Sequence, residues 1–422
     1  MVDSENLGGT KFFKVLGLDS IREALASSFL FSVGVLLQAA SLGKHVFDIT
    51  GRPIDIGFMG LAEFLPIFLL VFVSGSIVDR FDRKKIVLLA MTGELLCSLF
   101  LVWYSTTGPV SVFPLFACGL IFGTCRSFWS PAMRSLYPML VPASYLPSIV
   151  AISSGVWTAA MIIGPAISGF LYSLDQSLPY ATTAVLSCLG IISFMRVKLP
   201  IAKNLEVRDG SKTLRSAMEG LHFIRRTPIL LAAISLDLFA VLFGGAIALL
   251  PVIAEEQLNV GDVAYGWLRA AAGIGAAAMA LLLSIRPLRR NVGKALLIAV
   301  GVFGVGTIVL GMTHTYWIAF AAVLILSAAD MVSVFIRGTI VPLVTPDSKR
   351  GRVSAVENVF IGATNELGAF ESGVASQAFG TPATVIGGGV ATLGIVVVWW
   401  FGFKPLRDID MFSDLDAPEN PA

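Results

Sequence analysis

Charge is what this 422-residue chain has least of: acidic and basic side chains make up 14% of it, against roughly 25% in an ordinary soluble domain. With 56% hydrophobic residues and a mean hydropathy of +0.83, that shortage excludes a soluble globular protein. A net charge of +2 by itself says nothing about nucleic acid; where the charges sit says much more, and no nucleic-acid partner is expected. Histidine is scarce: His45, His222 and His314 fall at loops or at the edges of apolar runs, where they form no metal-ligand cluster. The four cysteines, Cys97, Cys118, Cys125 and Cys188, all lie inside apolar runs. They show neither metal spacing nor a disulfide framework and read as small packing residues. No HExxH, phosphate loop or nucleophile–base spacing occurs, so neither a cofactor nor enzymatic chemistry is expected. The first 20 residues are polar and lack the apolar core and small-residue cleavage site of a secretory signal. The first apolar run is therefore expected to direct membrane insertion itself.

What the chain does have is apolar runs long enough to cross a bilayer core of ~30 Å. Twelve are read, at residues 21–46, 57–78, 86–104, 112–137, 147–174 and 178–197, then 228–254, 263–285, 295–312, 316–343, 353–379 and 382–403. The expectation is an all-α membrane protein with twelve transmembrane helices in two six-helix bundles, residues 21–197 and 228–403. A tail (1–20), a connector (198–227) and a second tail (404–422) complete it. Orientation follows from Lys and Arg. With both termini in the cytoplasm, 25 of the 30 fall in inner segments or the helix ends beside them, and only Lys44 and Arg52 lie outside. Arg126, Arg269 and Arg337 are embedded. The connector holds seven of the basic residues, and Arg196 stands just before it. Its Leu214, Met218, Leu221 and Ile224 recur at helical spacing, which fits an amphipathic helix on the inner leaflet or a solvated linker.

The chain also repeats itself. At an offset of 204 residues, Pro138 falls on Pro342, Pro142 on Pro346, Ala151 on Ala355, Gly164 on Gly368 and Gly169 on Gly373. Near the second and eighth spans the offset becomes 206, where Gly60 meets Gly266 and Glu63 meets Arg269. Two parallel copies of a six-helix unit are a recurrent plan of secondary transporters.

The most specific stretch is the turn GSIVDRFDRKK between the second and third spans, which carries Gly75, Asp79, Arg80 and Arg83. The order Gly-x-x-x-Asp-Arg-x-x-Arg-Lys resembles the signature loop of the major facilitator superfamily. The fifth span holds Gly164, Pro165 and Gly169, similar to the antiporter motif of drug–proton exchangers, but with Ala160 and Ser168 where glycines are often found. GLAEFLP at 60–66, SPAMRSLYPMLVP at 130–142, SLDLFAVLFGGAIALLP at 235–251 and RGRVSAVENVFIGATNELGAFESG at 350–373 extend the likeness over residues 20–410. Together they resemble the drug–proton antiporter branch that includes macrolide efflux proteins and the enterobactin exporter.

That resemblance implies a secondary active transporter in the cytoplasmic membrane. It would export a small amphipathic or anionic molecule of drug or siderophore type by proton antiport with alternating access. Its partners would be that substrate, protons and membrane lipid, and it would work as a monomer. A divalent metal or lysolipid exporter of the same fold is the alternative; a membrane-embedded enzyme or a sensor is the reading from another class. In the family fold the first, fourth, seventh and tenth spans line the central cavity, so the resemblance places Gln38, Arg126, Asp237, Asp330 and Arg337 along the route. Buried carboxylates can exchange protons near neutral pH, and Asp237, with no basic residue on its own helix, is the first candidate carrier. Asp330 and Arg337, seven apart, share one helical face. The alternative for all of these is structural ion pairing. Glu63, Arg269, Glu357, Asn365 and Glu371 are expected where the two halves meet, and Asp79 is expected to act as a gate.

Overall fold

The computed structural model describes residues 17–108, 110–199 and 213–415. Every long element in it is a helix, and the chain divides into two compact units. One comprises Met1–His45 with Leu65–Gly210, the other Val46–Phe64 with Ser211–Ala422. Residues 46–64, expected in the first bundle, thus belong to the second unit.

The first unit draws on α1 (Asp19–Thr50), α2 (Pro53–Arg80), α3 (Arg83–Thr106), α4 (Phe113–Leu140), α5 (Leu146–Leu174) and α6 (Leu178–Met195). Its core gathers Phe31, Met91, Phe122, Leu136 and Phe194 from α1, α3, α4 and α6. The ends of the helices are written locally. Proline occupies the first turn of α4, α5 and α6, where its missing N–H costs nothing. Asp82 caps α3 by accepting the backbone N–H groups of Lys84 and Lys85. Lys84 in turn donates from Nζ to the carbonyls of Met195 and Val197, at 2.8 and 2.6 Å, and so closes the C-terminus of α6. The basic loop is therefore structural as well as orienting.

In the fifth-span motif, Gly164 brings α5 hard against α1: a Cβ there would lie 2.9 Å from Leu36 Cβ and 3.0 Å from the Leu37 backbone nitrogen. Ser168, the departure from glycine, hydrogen-bonds Ser41 of α1 at 2.7 Å. Gly164→Leu is expected to lower stability by about 1–3 kcal/mol through overpacking, read as a lower unfolding temperature in detergent. Gly155→Ala, where a Cβ meets nothing within 4 Å, is the control and should melt no lower than the parent. Equal melting of the two variants would remove close packing as the reason for Gly164.

The second unit adds α7 (Thr213–Arg226), α8 (Pro228–Phe243), α9 (Asp262–Ile285), α10 (Val292–Met312), α11 (Tyr316–Val344), α12 (Asp347–Phe379), α13 (Thr381–Gly402) and the short α14 (Lys404–Arg407). The amphipathic reading of the connector holds for α7, but its apolar face covers protein. Ile224 is buried and Leu221 half-buried in the core cluster that contains Val353 and Val356 of α12, and Arg352 pairs with Glu219. Met218 alone stays exposed; Leu214 lies outside the described side chains.

The seventh span is not one helix. It breaks after Phe243 into a 3-10 turn, Gly245–Leu249, and a wide π turn, Ile253–Gln257, before α9 begins. Two glycines explain the break. A Cβ at Gly244 would strike the Phe303 ring, and one at Gly245 would lie 2.6 Å from the Gly368 carbonyl of α12. Gln257 then caps α10 through its Nε2, 3.0 Å from the Leu310 carbonyl and 2.6 Å from that of Thr313.

Among the described residues, ten helical segments are long and apolar enough to cross a membrane. Helices stand at all twelve expected positions; α4, with 28 residues, and α12, with 33, are long enough but more polar. The repeat shows in the helix limits. Shifted by 204, Phe113–Leu140 becomes 317–344, within a residue of Tyr316–Val344.

Candidate functional site

The first unit holds a cavity of about 570 Å³, inside the range of small-molecule sites. From α4 it is lined by Arg126, Trp129, Ser130, Met133, Arg134 and Tyr137. These fall three or four apart and so form one stripe of the helix. Helix α1 contributes Ser28, Phe31, Ser32 and Val35 at the same spacing, and α5 contributes hydroxyls around Trp157. Phe31 and Trp129 pack with ring centroids 4.8 Å apart, Ser28 and Tyr137 share a hydrogen bond of 2.8 Å, and the Arg126 guanidinium sits 5.4 Å from the Phe122 ring centroid. Among the described residues, the only charged side chains in the lining are Arg126 and Arg134, both cations. The cavity therefore combines positive charge, aromatic faces and hydroxyl groups.

Arg134, Trp129 and Trp157 escaped the sequence reading, although the periodic polar and aromatic stripe in α4 was there to be found. Gln38 does not line the cavity. It is fully buried between α1 and α3, where its Nε2 donates to Glu94 at 2.8 Å and its Oε1 accepts from Ser98 at 2.7 Å.

The second unit holds a cluster of charges. Arg337 of α11 pairs with Asp237 of α8 at 2.8 Å and reaches Glu357 of α12 at 3.9 Å, while its Nε lies 3.4 Å from Ser333 Oγ. The pair is nearly sealed, with 4% and 7% of the two side chains exposed. Asp237, Asp330 and Ser333 line a space of about 10 Å³, close to the room one water molecule needs. One guanidinium thus meets two carboxylates, with Asp330 beside Asp237 as a third, in a place where a net charge is costly. The structure brings together Asp237, Arg337 and Glu357 as an ion-paired group, with Asp330 beside them. The pairing of Arg337 with Asp330, suggested by their shared face, is not made.

The other expected residues are distributed. Arg269 donates to the Tyr265 hydroxyl at 3.0 Å and interacts electrostatically with Glu63 and Glu366. A Cβ on Gly60 would come 2.9 Å from Glu366 Oε2, so glycine makes room for that carboxylate. Asn365 is exposed and bonds only its own helix, to the Ile361 carbonyl. Glu371 is half-buried beside Ser372, away from the Arg337 group. Arg80 is exposed, Arg83 donates to Met139 Sδ at 2.9 Å, and Gly75 has open space around its Cα. The side chain of Asp79 lies outside the described residues. Gly164, Pro165 and Gly169 are buried.

Long apolar helices, one unit with a small-molecule cavity and another with a buried charge cluster define a multi-pass membrane transporter. Residues 16–421 match the family described as transmembrane secretion effector, and the chain belongs to that family within the major facilitator superfamily. It is a protein of the cytoplasmic membrane. It is 27% identical to the uncharacterised major facilitator-type transporter YfiS of Bacillus subtilis, over 68% of this chain and 67% of that protein. To macrolide efflux protein A of Streptococcus pyogenes it is 25% identical, over 53% and 56%. With a Na(+), Li(+), K(+)/H(+) antiporter of Planococcus maritimus it shares 22% identity over 80% and 85%. The crystal structure of a D-xylose–proton symporter superposes with a TM-score of 0.71 at 13% identity, covering 92% of this chain and 98% of that one.

Proposed function

We propose that this protein exports a small amphipathic anion from the cytoplasm in exchange for protons, by alternating access. The observation that carries the reading is the division of charge. Among the described residues the cavity of the first unit is lined by two arginines and no acid, whereas in the second unit Asp237 and Glu357 gather on Arg337, with Asp330 beside Asp237. A cationic cargo would meet two like charges in the cavity; an aromatic or apolar anion meets Arg126, Arg134 and ring faces. Proton exchange belongs to Asp237, Asp330 and Glu357. The efflux named for one relative and the proton exchange named for another support the two halves of this reading.

Helices α4 and α12 count as spans, which gives twelve with both termini inside. At ~1.5 Å per residue they reach well beyond a ~30 Å core, and their polarity is the cavity stripe in one and Glu357 and its neighbours in the other. The protein works as a monomer. Divalent metal export is the weaker alternative: among the described residues no group of three or more His, Cys, Asp or Glu is placed to hold a metal ion.

The test is reconstitution in proteoliposomes with an internal pH-sensitive dye. Aromatic carboxylates, catecholate siderophores, macrolides, lysolipids and divalent cations are added one class at a time under an imposed proton gradient. Proton movement triggered by the anionic aromatic compounds is expected. A response to divalent cations or macrolides alone would overturn the cargo class.

Gly75, Asp79, Arg80 and Arg83 are assigned to the conformational step on the strength of the loop sequence. Asp79→Ala should leave cargo affinity unchanged and slow turnover about tenfold, a barrier change of ~1.4 kcal/mol. Loss of affinity at normal turnover would contradict a gating role.

A further inference from the structure

The outer face of the second unit carries a groove of about 590 Å³ between α10, α11 and α13, and its lining is entirely apolar side chains and glycine. Along α10 it runs from Leu297 to Val309. Twelve residues of helix measure ~18 Å, close to the depth of one leaflet of a ~30 Å hydrocarbon core. Its floor is opened by Gly301, where a Cβ would meet nothing within 4 Å. Its lining includes exposed Ile298, Val305, Ile318 and Ile325.

One end of this groove is basic. Lys294 lies one turn before Leu297 and Ile298 on the same helical face. At the same end Arg407 donates to the backbone carbonyl of Trp400, a groove residue, at 3.1 Å. The Asp408 carboxyl is held below the usual carboxylate range by its hydrogen bond to Arg407 and, further down the order of causes, by the charges of Lys294 and Lys404, which places all three cations around one corner. Exposed Arg289 and Arg290 stand just before α10. The nearby acids, Asp408 and Asp410, leave that corner net positive. The distribution of Lys and Arg along the chain assigns it to the cytoplasmic side.

A channel of one leaflet's depth, apolar along its length and cationic only at the headgroup end, matches a lipid with a negative headgroup. We propose that this groove binds an anionic glycerophospholipid of the inner leaflet, with one acyl chain against Gly301 and the phosphate beside Lys294, Lys404 and Arg407. The site is independent of the cargo cavity, which lies wholly in the other unit. It makes the C-terminal corner of the second unit a lipid-binding surface.

Native mass spectrometry of the full chain, released from nanodiscs of equal phosphatidylglycerol and phosphatidylcholine, tests it. The parent should retain phosphatidylglycerol in preference to phosphatidylcholine. Lys294→Gln with Lys404→Gln should cut that preference roughly fivefold per lysine. Gly301→Trp, which fills the groove and leaves the cations in place, should remove retained lipid of both kinds, and Gly301→Leu should do so in part. A melting temperature within a few degrees of the parent qualifies each variant, and Gly301→Leu stands in if the tryptophan variant melts early. Equal retention of the two lipids by the parent would overturn the proposal. So would undiminished phosphatidylglycerol on both Gly301 variants, or a dimer that the Gly301 variants abolish, which would give the groove to a second copy of the chain.

Discussion

Asp237→Asn is expected to abolish gradient-driven transport, at least a tenfold loss, while the protein stays folded. The asparagine oxygen can still accept from the Arg337 guanidinium that now lies 2.8 Å from the carboxylate, and Glu357 remains 3.9 Å away to balance its charge. What disappears is the group that can take up and release a proton. Cargo counterflow, exchange of labelled for unlabelled compound with no gradient, needs alternating access but no net proton transfer. It should persist in the variant at half the parent rate or more. Arg337→Gln is the contrasting case. It leaves Asp237 and Glu357 without their cation, and removing one member of a sealed ion pair typically costs about 3–5 kcal/mol, so that variant should lose stability and counterflow together. Gradient-driven transport by Asp237→Asn at the parent rate would take Asp237 out of coupling and turn the search to Asp330, which lines the same water-sized space.

The ionisable residues of that cluster were legible in the sequence because charge is so costly within an apolar run. Their partners were not. Asp330 and Arg337 share a face of α11, but seven residues of helix separate them by ~10.5 Å along the axis, beyond contact. Arg337 instead reaches across to α8 and α12, and the order of neighbours around a helix is not written in its own periodicity. Gln38 shows the same limit: its helix was placed well, yet the side chain faces α3 and bonds Glu94. The break after Phe243 had a visible cause in Gly244 and Gly245, but a run of 27 apolar-rich residues, 228–254, reads as one span when only its length is weighed. In α7 the amphipathic pattern was clear; that its apolar side covers α12 depends on a partner more than a hundred residues away. Hydropathy and charge count thus located the helices and their polar residues, and tertiary packing chose which of those residues meet.

The cargo proposal stands or falls with Arg126. It lies on the α4 stripe with Trp129 one turn on and Arg134 two turns on, so an anion near either guanidinium can place an aromatic ring against Trp129. Arg126→Gln should weaken binding of an anionic aromatic compound by about 1.5–3 kcal/mol, roughly 10- to 150-fold in Kd, the range for hydrogen bonds to charged groups. Arg126→Lys keeps the charge but loses the planar fork, so it should recover only part of that affinity. Tryptophan fluorescence titration of the detergent-purified protein reads both, through Trp129 and Trp157 in the lining. The decisive comparison is the uncharged methyl ester of the same compound. If Arg126 recognises the anion, the ester binds parent and variant alike, and only the acid distinguishes them. Equal weakening of acid and ester would mean that Arg126 acts by holding Phe122 and the cavity wall, and the cavity would then have no demonstrated preference for negative charge.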